Sequence, residues 1–170
     1  RWYIGDTYHA SIGQGFVLAT PIQLATATAV VANGGTLWKP RVVGQIRSRQ
    51  GEVQSVAPEA LRRNVIDPSI LKTVREGMRM TVTESVGTAQ SLASLPVAVA
   101  GKTGTAQFGS EKKTHGWFES FAPYENPTIA MVVLVEGQEN EGEGYFAVPV
   151  TKEVLAWYFS EGKGNHREEK

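Results

Sequence analysis

Apolar positions recur with a helical period in the first half of the chain and with a strand period in the second. Leu24 to Ala32 is small and apolar nearly all round, which predicts a buried helix. Its start is punctuated by Thr20-Pro21-Ile22-Gln23, a capping box. Thr20 can accept a first-turn amide, Pro21 suits the first helical position, and Gln23 can reach back. Asn33-Gly34-Gly35 supplies the left-handed conformations that end it. A second helix opens at Asp67-Pro68, and Ile70, Leu71, Val74, Met78 and Val82 recur at helical spacing through residue 82. Between these helices, Arg41–Arg47 and Glu52–Val56 flank Ser48-Arg49-Gln50-Gly51 as a hairpin.

The second half predicts strands over Val97–Phe108, Gly116–Ala122 and Thr128–Glu136. Gly109–Thr114 and Pro123–Pro127 divide them as turns. Ile129–Val135 is continuously apolar and reads as a central strand covered on both faces. The acidic, glycine-rich Gly137–Gly144 reads as a loop, Pro149–Ser160 as a last helix, and Gly162–Lys170 as a polar tail. Strand linkers this short imply antiparallel neighbours, because a parallel crossover needs a dozen or more residues. The expected fold class is α/β: an antiparallel sheet with helices on its faces.

Composition narrows the function. Lys and Arg number 17 and so do Asp and Glu, so the basic excess of a nucleic-acid binder is missing. Without cysteine there are no disulfides, zinc–thiolate sites or cysteine nucleophiles. No apolar run approaches the roughly 18 residues a membrane span needs. Arg1-Trp2-Tyr3-Ile4-Gly5-Asp6 is no signal peptide, and the start reads as mid-protein, with Trp2 and Tyr3 expected to be exposed.

Val97–Gln107 carries the chemistry. A phosphate-binding loop would need a glycine where Pro96 stands, followed by a helix rather than a strand, so nucleotide binding is set aside. Lys102-Thr103-Gly104 reads instead as the Lys-Thr-Gly element found in serine acyl-transfer enzymes, the plain alternative being a glycine-rich strand with a solvated lysine. On a strand lining a cleft, Lys102 offers a positive charge beside a reacting hydroxyl. Thr103 and Thr105 share the opposite face by alternation. Gly101 and Gly104 remove side-chain bulk, so that a peptide can lie along the strand, and the Thr105 amide can serve as half of an oxyanion hole.

Other motifs accompany it in order. Before it stand Gly5-Asp6-Thr7, Ser11-Ile12-Gly13-Gln14-Gly15, Ala19–Ala25 and Ala32-Asn33-Gly34-Gly35. After it come His115-Gly116-Trp117-Phe118 and Phe121-Ala122-Pro123. From Arg1 to Phe159 this succession resembles the C-terminal part of the transpeptidase domain of class B penicillin-binding proteins, most closely the elongation type. The resemblance implies a peptidoglycan D,D-transpeptidase that cross-links stem peptides and is acylated by β-lactams, with no cofactor and no metal. It implies catalytic roles for Lys102 and Thr105, and carboxylate binding by Thr103 and Thr105 with Gly104 keeping the strand open. It also implies an extracytoplasmic, membrane-anchored parent and a membrane glycan polymerase as partner. The domain is expected to span 1–162, leaving 163–170 as tail. A non-catalytic peptide-binding module using the glycine-rich strand edge is the alternative.

The family's Ser-x-x-K nucleophile and Ser-x-Asn element would precede Gly5, and are expected in sequence upstream of residue 1. Three formal matches lie downstream: Ser69–Lys72, Ser110–Lys113 and Ser160–Lys163. They read as an ordinary helix, a turn and a frayed end, and Tyr124-Glu125-Asn126 between two prolines reads as a turn. His115, Trp117 and Phe118 read as core aromatics with an edge histidine, or else as a cleft rim. His115 and Glu119 on a strand point the same way about 13 Å apart, too far to share a metal, and His9 and His166 have no local partners. Glu136–Glu143 reads as a solvated loop.

Overall fold

The capping box at Thr20 forms. In the computed structural model, which describes residues 1–108, 113–139 and 146–160, the Gln23 amide donates to Thr20 Oγ1 at 3.4 Å. The Thr20 amide donates to Gln23 Oε1 at 2.8 Å. In chain order the elements are α1 (Ile4–Ser11), α2 (Pro21–Ala32), β1 (Leu37–Trp38), β2 (Gln45–Arg47), β3 (Val53–Ser55) and β4 (Ala60–Arg62). There follow α3 (Pro68–Thr83), a 3₁₀ turn (Gln90–Ser94), β5 (Ala100–Phe108), β6 (Lys113–Ala122), β7 (Ile129–Glu139) and α4 (Ala147–Ser160).

β5, β6 and β7 form an antiparallel sheet in that order, as the short linkers require. One expectation is corrected here: β6, not the apolar β7, is the central strand. Hydrophobicity reports what covers a strand's faces and is silent about its in-plane neighbours. Met131, Val133 and Val135 of β7 pack on one core cluster and Ala130 on another, which accounts for the unbroken apolar run. Among the described residues the other edge of β7 meets no strand.

Side-chain alternation sorts the sheet into two faces. Phe118 and Ala122 of β6 join Val82 of α3, Leu92 of the 3₁₀ turn, and Val148 and Leu155 of α4 in the larger core. The opposite face carries Phe121, which packs with Ala32, Met78 and Ala100, and Glu119, which accepts from Thr28 Oγ1 of α2 at 2.9 Å. Two arginines of α3 tie the layers together. Arg75 donates to the Val31, Ala32 and Tyr124 carbonyls, and Arg79 to that of Val99 at 2.6 Å.

The strands deviate in length from the pattern-based reading. β6 begins at Lys113 and β7 runs to Glu139, because extended pairing continues through polar positions once a neighbour supplies hydrogen bonds. Residues 109–112 and 140–145, and with them most of the expected turn and acidic loop, lie outside the described residues, as does the tail from 161. β5 begins at Ala100, three residues later than expected. The hairpin shrinks to β2–β3, paired Gln45 with Ser55. α1 and the short β1–β4 ribbon were not foreseen; two- and three-residue strands carry too little periodicity to be read. α2 is not buried all round either. Only Thr28, Val30 and Ala32 are fully enclosed, while Ile22 is exposed beside an apolar groove of about 470 Å³ that Val30, Leu37 and Ile66 also line.

Candidate active site

Lys102, Thr103, Gly104 and Thr105 stand opposite Glu119, Phe118, Trp117 and Gly116 in the β5–β6 register. β6 occupies one edge of β5, and among the described residues no strand occupies the other. Gln14, in the loop after α1, reaches that outer edge, where its Nε2 donates to the Thr105 carbonyl at 3.2 Å. In an extended strand the N–H and C=O of one residue point the same way, and residues two apart share that direction. The backbone groups of Thr103 and Thr105 therefore face outward. Lys102 Nζ donates to the Thr103 carbonyl, which brings the ammonium to this same edge. Its cross-strand neighbour Glu119 is held instead by α2 through Thr28.

The two glycines of the motif differ in what they do. A Cβ on Gly101 would lie 2.4 Å from Phe118 Cζ and 2.8 Å from the Glu119 carbonyl oxygen. Gly101 thus lets β6 and its aromatic ring close onto β5, which corrects the expectation that it opens space for a ligand. A Cβ on Gly104 would meet nothing nearer than Trp117 Cβ at 3.4 Å. Only Gly104 leaves an open surface.

Thr103 has a neighbour the sequence did not announce: Thr88 Oγ1 lies 3.0 Å from Thr103 Oγ1. Neither Gln14 nor Thr88 carries a local chemical signature, and both arrive through long-range packing. Of the aromatics weighed beside the motif, Phe118 is fully buried and structural, whereas Trp117 and His115 are half-buried on the Lys102 face. The Gly137 amide lies 3.4 Å from His115 Nδ1.

Two of the three downstream Ser-x-x-K serines make local bonds, one in a helix cap and one to a helix carbonyl. Ser69 Oγ and the Ser69 amide both donate to Asp67 Oδ1, at 2.5 and 2.8 Å. These bonds hold the Asp67 carboxyl below its ordinary range. Lys72 points along the helix to Glu76 at 3.9 Å. Ser160 donates to the Ala156 carbonyl, and Ser110 and Lys163 lie outside the described residues. Tyr124 is a turn residue whose ring stacks on Phe121. Among the described residues no three His, Asp or Glu side chains converge on a point where a metal would sit.

The family described as penicillin binding protein transpeptidase domain matches residues 1–156. The chain belongs to this family. Its place within the transpeptidases is supported by the peptidoglycan D,D-transpeptidase MrdA of Haemophilus influenzae, 30% identical over 94% of this chain and 27% of that protein. A solved structure of Pseudomonas aeruginosa PBP2 in complex with WCK 5153 is 37% identical. It superposes with a TM-score of 0.74 over 94% of this chain and 35% of the other. The imipenem acyl-enzyme complex of penicillin-binding protein A from M. tuberculosis is 32% identical, with a TM-score of 0.74 over 86% and 32% of the two chains. The chain spans about a quarter to a third of the length of the curated relatives it matches.

Proposed function

We propose that the chain supplies the Lys-Thr-Gly wall of a peptidoglycan D,D-transpeptidase site, within a domain that takes in residues 1–162, and that β-lactams acylate the assembled site. The outer edge of β5, which among the described residues no strand occupies, carries this reading, because it gathers the Lys102 ammonium and the outward backbone of Thr103 and Thr105 on one line. A stem peptide lies along that edge as an added strand. Its terminal carboxylate is taken by the Thr103 and Thr105 hydroxyls. The Lys102 charge favours loss of the proton from the attacking serine, and the Thr105 amide faces the oxyanion. Gly104 leaves the strand accessible.

The serine belongs to a Ser-x-x-K element preceding residue 1, in the same domain. Exposed apolar side chains support this reading: Phe16 and Leu18 are 82% and 91% exposed, and Ile22 borders the groove on α2. The parent acts outside the cytoplasmic membrane, anchored to it, beside a membrane glycan polymerase.

Intact mass after incubation with benzylpenicillin tests the reading. No adduct on this chain, with a stoichiometric adduct on a protein extended upstream, is the expected result. An adduct on this chain alone would place the nucleophile within it and overturn the divided site. Reversible binding of a D-Ala-D-Ala peptide with no adduct on either protein would favour a binding module.

A further inference from the structure

Thr88 stands between two fixed points. A Cβ on Gly87 would fall 2.3 Å from the Thr81 carbonyl oxygen, so the backbone there presses directly on the last turn of α3. Ala89 is buried and its amide donates to that same carbonyl at 3.0 Å. The next residues run into the 3₁₀ turn, where Leu92 is wholly enclosed in the core. A side chain held this way has little freedom to drift, and its hydroxyl lies 3.0 Å from Thr103 Oγ1. Thr88 is exposed and Thr103 half-buried, so the pair sits where a ligand has access.

A hydroxyl has one proton to give and can accept two. With only water nearby, either threonine can be the donor. An arriving carboxylate removes that freedom, because it accepts and never donates. The one order that satisfies all three groups runs from Thr88 O–H to Thr103 Oγ1, and from Thr103 O–H to the carboxylate. The reverse order spends the Thr103 proton on Thr88 and turns oxygen lone pairs toward an anion. In the productive order the bond to the carboxylate is charge-assisted and is strengthened by the one behind it.

We infer that Thr88 is a positioning residue for carboxylate recognition: it directs the Thr103 proton to the ligand's carboxylate and so sets selectivity for acids over their neutral analogues. The inference rests on the carboxylate-binding role proposed for Thr103.

The test compares acylation rate constants for benzylpenicillin and for its methyl ester on the full-length transpeptidase that carries this chain. Thr88→Val is expected to slow the acid about fivefold, the scale of one lost hydrogen bond, with the ester unchanged. Thr88→Ser restores the rate. Thr103→Val slows the acid at least as much, and adding Thr88→Val to it costs nothing more, because the two act in series. Equal slowing of acid and ester by Thr88→Val, or failure of Thr88→Ser to restore the rate, would mean that Thr88 merely packs the loop, and would overturn the inference. An inert Thr88→Val beside an acid-selective Thr103→Val overturns it too, but leaves the role of Thr103 standing. If Thr103→Val treats acid and ester alike, the carboxylate reading of Thr103 falls and this inference with it.

Discussion

The guanidinium of Arg75 lies 4.8 Å from the ring centroid of Phe121, while its nitrogens donate to the Ala32 and Tyr124 carbonyls. One α3 side chain thus closes the C-terminus of α2, stacks on the sheet and holds the β6–β7 turn. Substituting Arg75→Met keeps much of the apolar stem but leaves three carbonyls without this donor. The expected loss is about 2–4 kcal/mol, summing a lost cation–π contact and charged hydrogen bonds. Urea denaturation measures it, and a loss under about 0.5 kcal/mol would show that water replaces the arginine.

Gly101 and Gly104 separate stability from ligand access. Gly101→Ala drives a methyl group into Phe118 and the Glu119 carbonyl and is expected to cost about 1–3 kcal/mol, as overpacking does. Gly104→Ala meets only ordinary contact, so its melting temperature stays near that of the unsubstituted protein, while β-lactam acylation of the protein extended upstream slows. Melting and acylation measured on both variants should move in opposite pairs.

Ser120 offers a gain. It is completely buried on β6, and among the described residues its hydroxyl has no hydrogen-bond partner. Removing a buried, unpaired hydroxyl relieves its desolvation cost, so Ser120→Ala is expected to stabilise by about 1 kcal/mol. A destabilised variant in thermal melting would reveal a partner for that oxygen.

The Asp67 cap gives α3 an acid limit. Bonds from Ser69 hold the carboxyl below its ordinary range. The unfolded chain therefore binds more protons there, and stability rises with pH through that interval. The cap's contribution is complete above the unfolded carboxylate range and vanishes as pH falls through the lowered folded value. Asp67→Asn should flatten this acid limb in helicity monitored against pH. An unchanged limb would assign it to other carboxylates.

α2, α3 and the Lys-Thr-Gly strand were legible because their signals are local: Thr20 with Gln23, Asp67 with Pro68, and the alternation from Lys102 to Thr105. What escaped depends on which segments meet. The register that sets Lys102 opposite Glu119, the approach of Gln14 to Thr105 across 91 positions, and the pinning of Thr88 by α3 all arise from packing. Gly101 shows the same limit from another side. Its type was readable as permissive, but whether it admits a ligand or a phenylalanine ring is decided by its neighbour.

β7 runs for eleven residues, and among the described residues its outer edge meets no strand and carries no proline or charge from Ile129 to Val135. Strands of this kind are templates for other strands. Handled by itself in solution, the chain is therefore prone to find a second copy of itself and grow into assemblies as its concentration rises. Whatever covers that edge then also serves solubility, before any question of catalysis arises.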